Sequence, residues 1–178
     1  MKKTSRGRSK LILVFGGAAS GKSQAALELA GKGSPRAFVA TGQALDREMA
    51  ERIARHRTTR SVDWRTVEVP VALAAWFRRH GSGYRTIVLD CLTLWLSNLQ
   101  GKRVRDTGVS GRVADLLDAV RATTARVIVV SNELGLGLVP AGRFARSFRD
   151  LAGRVNQQIA AEADEVYLVI SGLSLRLK

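Results

Sequence analysis

An apolar, β-branched run, Leu11-Ile12-Leu13-Val14-Phe15, passes directly into Gly16-Gly17-Ala18-Ala19-Ser20-Gly21-Lys22-Ser23, and Gln24 to Ala30 continues with helical character. Strand, G-x-x-x-x-G-K-S turn and helix, in that order, form the context in which this motif cradles phosphates. Glycine lets consecutive backbone N–H groups converge on an anion, and the helix amino terminus adds a favourable partial charge. Lys22 then reaches the β- and γ-phosphates, while the Ser23 hydroxyl ligates Mg²⁺. The motif predicts a nucleoside triphosphate site over Gly16, Gly17, Ala18, Ala19, Ser20, Gly21, Lys22 and Ser23.

At 178 residues with 46% hydrophobic content, the chain is long enough for one well-cored domain and short for two. Residues 1–10 contain Lys2, Lys3, Arg6, Arg8 and Lys10 and no acid, and read as a disordered basic tail, with 11–178 as the single domain. The tail resembles the start of a signal peptide, but Leu11–Phe15 is too short for an apolar core of that kind. No apolar stretch approaches the ~20 residues of a membrane-spanning helix, and the expected setting is the cytoplasm. Cys91 is the only cysteine, which excludes an intramolecular disulfide and a thiol-rich metal site. Twenty-nine Lys+Arg against fifteen Asp+Glu give a formal charge of +14, a balance that favours anionic partners. The arginines are scattered, without the aromatic interleaving that single-strand binders use, so no nucleic-acid partner is expected.

Strands and helices alternate along the chain. Leu11–Phe15, Arg36–Thr41, Thr86–Asp90 and Arg126–Ser131 read as short strands, the last two being continuous apolar runs of the kind buried on both faces of a parallel sheet. Asp46–Arg57, Val71–His80, Val113–Thr123 and Phe144–Ala163 read as helices, with Gly101–Gly111 as a mobile glycine- and arginine-rich loop. Glu165–Ile170 and Leu173–Leu177 close the chain as a strand pair around Ser171-Gly172. The order predicts a three-layer α/β fold with a mainly parallel sheet.

Ligands of open α/β sheets sit at the carboxyl ends of the strands. Asp90 ends one strand where P-loop enzymes place the acid that holds Mg²⁺. Glu133, after Ser131-Asn132, puts a second carboxylate at the same edge, and Thr41-Gly42-Gln43 ends another strand. Asp90 and Glu133 are also open to an ordinary strand-end role. His56 stands among Arg52, Arg55, Arg57, Thr58, Thr59 and Arg60, groups suited to holding polyphosphate. A lone exposed histidine is more commonly a surface residue, and His80 before Gly81 has no such company. Cys91 reads as core.

The ordered set of motifs resembles the bifunctional adenosylcobinamide kinase/adenosylcobinamide-phosphate guanylyltransferase family of cobalamin biosynthesis. The resemblance rests on Gly16–Ser23; Ala40-Thr41 with Asp46, Glu48 and Met49; Arg52-Ile53 with His56-Arg57; and Trp64–Glu68. It continues through Asp90–Thr93, Ser131–Pro140, Phe148–Gln157 and Ala163–Gly172, and so spans about Leu11 to Lys178. It implies a RecA-like P-loop fold and a two-step enzyme. A nucleoside triphosphate, ATP or GTP, phosphorylates the aminopropanol hydroxyl of adenosylcobinamide. GTP then guanylylates a histidine, and adenosylcobinamide phosphate takes the GMP to give adenosylcobinamide-GDP. The family's histidine falls on His56, with Lys22 as the other catalytic residue. Nucleotide contacts fall on Gly16–Ser23, Thr41, Gly42, Gln43, Arg57, Thr58, Thr59, Arg60, Glu68 and Asp90, with Mg²⁺ on Ser23 and Asp90. The resemblance also implies a homo-oligomer, a trimer in the family, and a corrinoid substrate. Ser61 stands where relatives often have proline, which bears on loop stiffness only. The other readings are a protein with one of the two activities, or a nucleotide-regulated nucleic-acid binder using the basic tail.

Overall fold

The computed structural model describes residues 9–44, 46, 47, 50, 51, 54, 63–102, 104 and 106–178. Seven strands, β1 (Lys10–Gly16), β2 (Arg36–Ala40), β3 (Trp64–Glu68), β4 (Thr86–Asp90), β5 (Arg126–Asn132), β6 (Glu165–Ile170) and β7 (Leu173–Arg176), form one sheet. The helices are α1 (Lys22–Ala30), α2 (Leu73–His80), α3 (Leu92–Gly101), α4 (Asp106–Arg121) and α5 (Arg143–Glu162), with a 3₁₀ turn at Gly81–Gly83. The sheet order is β3-β2-β4-β5-β1-β6-β7, parallel throughout except for the antiparallel β6–β7 hairpin. The three-layer, mainly parallel α/β architecture expected from the sequence is the one observed.

Alternation along the central strands divides the core in two. Leu11, Leu13, Ile87, Leu89, Val127 and Val129 face Leu73 and Phe77 of α2, Leu92, Trp95, Leu96 and Leu99 of α3, Val113 and Leu116 of α4, and Leu151, Val155 and Ile159 of α5. Ile12, Val14, Val88, Ile128 and Val130 face the other way, against Ala25, Ala26 and Ala30 of α1. Covering both faces is what a parallel sheet requires, and it explains why β1, β4 and β5 read as unbroken apolar runs.

Three boundaries differ from the sequence expectation. Lys10, assigned to the tail, is the first residue of β1 and is ion-paired to Glu165. Ser9 is buried, its carbonyl accepting from Arg121 Nη1 at 2.8 Å; a polar edge to the strand made these residues look like tail. Trp64–Glu68, read only as a family motif, is the edge strand β3, whose mixture of exposed and half-buried positions leaves no apolar run. Gly101–Gly111 is not one loop: α3 extends to Gly101 and α4 begins at Asp106. Val109 is fully buried against the core with Val113 and Leu116, and this burial outweighs the low helix propensity of Gly108 and Gly111. In the expected Asp46–Arg57 helix, residues 47, 50, 51 and 54 are helical, and Ala50 N donates to Asp46 O at 3.0 Å. Residues 55–57 lie outside the described residues.

The helical assignment of Gly111 is testable. A Cβ there meets nothing within 4 Å. Gly111→Ala should therefore stabilise the protein by about 0.5–1 kcal/mol, a rise in melting temperature of about 1–4 °C. Unchanged or lower stability in a urea titration would contradict a helix at this position.

Candidate active site

The P-loop leaves the sheet at Gly16, which is in register with Asn132 of β5 on one side and Val169 of β6 on the other. A Cβ on Gly16 would lie 2.3 Å from the Val169 carbonyl oxygen and 2.8 Å from Ser20 Oγ, so the strand can pass here only as glycine. Ala19 (φ 53°) and Gly21 (φ 92°) adopt left-handed conformations that curl the loop into α1. Ser20 N donates to Gly17 O at 3.3 Å, but the N–H groups of Ala18, Ala19 and Gly21 have no acceptor among the described residues. Nor does any side chain cap the start of α1, and its first turn has no acidic residue. Unclaimed N–H donors converging at a positive helix end make an anion cradle. Lys22 Nζ reaches back to donate to Gly17 O at 3.0 Å, holding its charge over the mouth of the loop.

The hairpin turn between β6 and β7 backs this loop. Gly172 N donates to Ser20 O at 2.9 Å, and a Cβ on Gly21 would come within 3.2 Å of Gly172 Cα. The sequence marked Ser171-Gly172 as a turn but gave no sign that it supports the phosphate loop.

Asp90 closes β4 at the same edge, half-buried, and Ser23 is half-buried at the start of α1. Neither the Ser23 hydroxyl nor the Asp90 carboxylate has a hydrogen-bond partner among the described residues. Two unclaimed hard oxygen donors fit Mg²⁺, which takes one or two protein oxygens and completes its shell with water and phosphate. No cluster of three or more His, Cys, Asp or Glu suited to a metal is present among the described residues, so an all-protein metal cage is not what this edge offers.

Thr41 is held within the fold at the end of β2. It is fully buried, its hydroxyl donating to Cys91 O at 2.7 Å and accepting from Cys91 N at 2.9 Å. Its N–H donates to Asp90 O, and its carbonyl accepts from Asn98 Nδ2 at 2.8 Å. With every polar atom spent, Thr41 ties the ends of β2 and β4 together and offers no side-chain ligand. Gly42 and Gln43 follow it toward solvent, and Glu68 ends β3 exposed, at the far side of the sheet from β1. His56, Arg57, Thr58, Thr59 and Arg60 lie outside the described residues.

Sequence reasoning missed the struts beneath the edge. Asn156 is buried on α5, its Oδ1 accepting from Ser131 Oγ at 2.6 Å and its Nδ2 donating to Asn132 O at 3.1 Å. Thr93 Oγ1 accepts from Asn132 N at 2.9 Å. The available signal was phase: Asn156 falls on the apolar stripe Ala152, Val155 and Ile159, where a polar residue needs buried partners. A basic depression of about 450 Å³, lined by Arg36, Arg65, Arg79, His80 and Tyr84, lies at the opposite, amino edge of the sheet and takes no part in this site.

A parallel sheet carrying a strand–P-loop–helix unit, with a metal-competent aspartate two strands away, defines a RecA-like P-loop nucleotide-binding protein. A solved KaiC-like protein from the hyperthermophilic archaeon Pyrococcus horikoshii shares the fold: TM-score 0.55, 13% identity, covering 90% of this chain and 71% of the other. The family profile for cobinamide kinase/cobinamide phosphate guanyltransferase matches residues 12–177, and the chain belongs to that family. It is 40% identical to the bifunctional adenosylcobalamin biosynthesis protein CobU of Escherichia coli, over 94% of this chain and 99% of that protein. It is 43% identical to the corresponding CobP of Pseudomonas aeruginosa, over 93% and 96% respectively.

Two outcomes check the geometry. Gly16→Ala should destabilise the protein by about 1–3 kcal/mol and abolish nucleotide binding, because its Cβ strikes backbone. Gly17→Ala, whose Cβ meets nothing within 4 Å, should leave stability within about 0.5 kcal/mol yet weaken triphosphate affinity in a titration, since the cradle must admit phosphate closely. Separately, burial pushes the Cys91 thiol up to about 12, with Asp90 adding to the shift. The native thiol should therefore resist thiolate-specific reagents at pH 8–9 and label fully in denaturant. Because the unfolded thiol titrates first, Cys91 also makes native stability fall as pH rises from about 9 toward 12.

Proposed function

We propose that this protein phosphorylates the hydroxyl of adenosylcobinamide with a nucleoside triphosphate, and then converts the phosphate to adenosylcobinamide-GDP by GMP transfer from GTP. Membership of the kinase/guanyltransferase family supplies the substrate class. The observation that carries the reading is the uncapped start of α1, with the free N–H groups of Ala18, Ala19 and Gly21 under Lys22. Residues 11–178 are proposed to act as one catalytic domain, and the nucleotide requirement fits a cytoplasmic setting.

In this reading Gly16–Ser23 grip the triphosphate, and the Lys22 ammonium stabilises charge developing on the transferred group. Thr41 fixes the strand ends that present Gly42, Gln43 and Asp90, while Glu68 borders the nucleotide farther along the edge. Ser23 and Asp90 would hold Mg²⁺, which when bound neutralises phosphate charge. His56 attacks the α-phosphorus of GTP: an N–P bond forms, the α–β P–O bond breaks, and pyrophosphate leaves. An imidazole, with a reference pKa of about 6.5, is largely neutral and nucleophilic at pH 7. Adenosylcobinamide phosphate then attacks the same phosphorus, the N–P bond breaks, and His56 is restored. Arg57, Thr58, Thr59 and Arg60 are proposed to hold the polyphosphate beside it.

Self-association into a homo-oligomer, a trimer by family resemblance, is also proposed. Leu136, Leu138, Val139 and Phe144, and separately Ile170, Leu173, Leu175 and Leu177, are each more than half exposed; Leu138 reaches 97%. Apolar groups in such numbers mark an interaction surface.

The deciding experiment incubates the protein with Mg²⁺ and α-labelled GTP in the absence of corrinoid. Acid-labile, base-stable label on the wild type and none on His56→Ala is the expected result. Absence of label on both would leave a P-loop kinase without the covalent half-reaction.

A further inference from the structure

Three carboxylates end strands on the active edge, and their distances from the P-loop separate their roles. Sheet order places Glu68 on β3 four strands from β1, Asp90 on β4 two strands away, and Glu133 immediately after β5, the neighbouring strand. At about 4.8 Å per strand step, these correspond to lateral offsets of roughly 19, 10 and 5 Å. Glu133 is tied to the loop itself, its N–H donating to Gly16 O at 2.9 Å. One carboxylate oxygen, Oε1, accepts the Gly135 N–H at 2.6 Å, while the other has no hydrogen-bond partner among the described residues. A Cβ on Gly135 would lie 2.8 Å from Oε1, so the glycine permits this grip. The result is a half-buried carboxylate with one oxygen anchored and one free, beside the P-loop and apart from the Ser23–Asp90 pair.

We propose that Glu133 is the general base of the phosphoryl-transfer step. Its free oxygen takes the proton of the corrinoid hydroxyl as that oxygen bonds to the γ-phosphorus. The bond from the γ-phosphorus to the bridging oxygen breaks, its electron pair leaves on the nucleoside diphosphate, and the proton passes from Glu133 to water. The inference rests on the reading that this P-loop binds the triphosphate that phosphorylates adenosylcobinamide. Guanylylation of the enzyme requires no hydroxyl deprotonation, so Glu133 serves one half-reaction only.

The test compares wild type, Glu133→Gln and Glu133→Asp. Steady-state corrinoid phosphorylation is followed alongside Mg²⁺-nucleotide affinity and incorporation of α-labelled GMP. Glutamine keeps an acceptor for the Gly135 N–H and similar volume, so the loop is retained while the base is lost. The expected result is a fall in kcat of about 10²–10⁴-fold for Glu133→Gln, with little change in KM for the corrinoid. Nucleotide affinity, Mg²⁺ requirement and GMP labelling should be unchanged, and Glu133→Asp should recover part of the rate. Wild-type kcat in Glu133→Gln would overturn the assignment. So would a rate loss cured by excess Mg²⁺, which marks a metal ligand instead. A wild type that binds nucleotide but never phosphorylates the corrinoid would overturn the functional reading, and the assignment with it; the wild-type control separates the two failures.

Discussion

The site depends on how closely three strands are allowed to approach at Gly16. With Asn132 on one side and the Val169 carbonyl on the other, no side chain fits, and the chain can turn out of the sheet only at that level. From this packing follow the anchoring of Glu133 to Gly16 O and of Gly172 to Ser20 O. The phosphate loop is thus clasped from β5 on one flank and from the β6–β7 turn on the other. The N–H groups of Ala18, Ala19 and Gly21 have no acceptor among the described residues, while the surrounding backbone holds the loop in place.

Beneath the loop, buried and half-buried polar groups set the heights of the strand ends. Thr41 and Cys91 exchange hydrogen bonds across β2 and β4, Asn98 holds the carbonyls of Thr41 and Pro70, and Asn156 holds Ser131 and Asn132. Thr41 and Asn156 are each satisfied on both the donor and the acceptor side, which is the condition under which a buried polar residue rigidifies rather than destabilises. The apolar layers fix where the sheet lies; these side chains fix where its edge stops. Catalytic groups need that second kind of precision, because a shift of about 1 Å is enough to misalign reacting atoms.

What could be read from the sequence follows the same division. Strands β1, β4 and β5 were legible because burial on both faces leaves uninterrupted β-branched runs, and the P-loop between β1 and α1 told which edge is active. Strand β3 was not, because an edge strand keeps Arg65 and Glu68 at the surface and so lacks the run. The start of α4 was hidden by glycines whose helical state is imposed by Val109 and Val113 meeting the core. At the site, Asp90 and Glu133 were legible as strand-end acids, but their division of labour needs strand order, which sequence order does not give. The structural tie made by Thr41 was not legible, because its hydroxyl partner, Cys91, lies fifty residues on and only folding brings the two together.

The β6–β7 hairpin has two aspects that belong to one body. Its inner side, through Val169 and Gly172, presses on Gly16, Ser20 and Gly21; its outer strand shows Leu173 and Leu175 to solvent. The two sides are joined by the antiparallel pairing of β6 with β7, from Tyr167 opposite Arg176 to Ile170 opposite Leu173. The backbone that braces the phosphate loop from behind is thus one strand removed from an exposed apolar surface, with no intervening element between them.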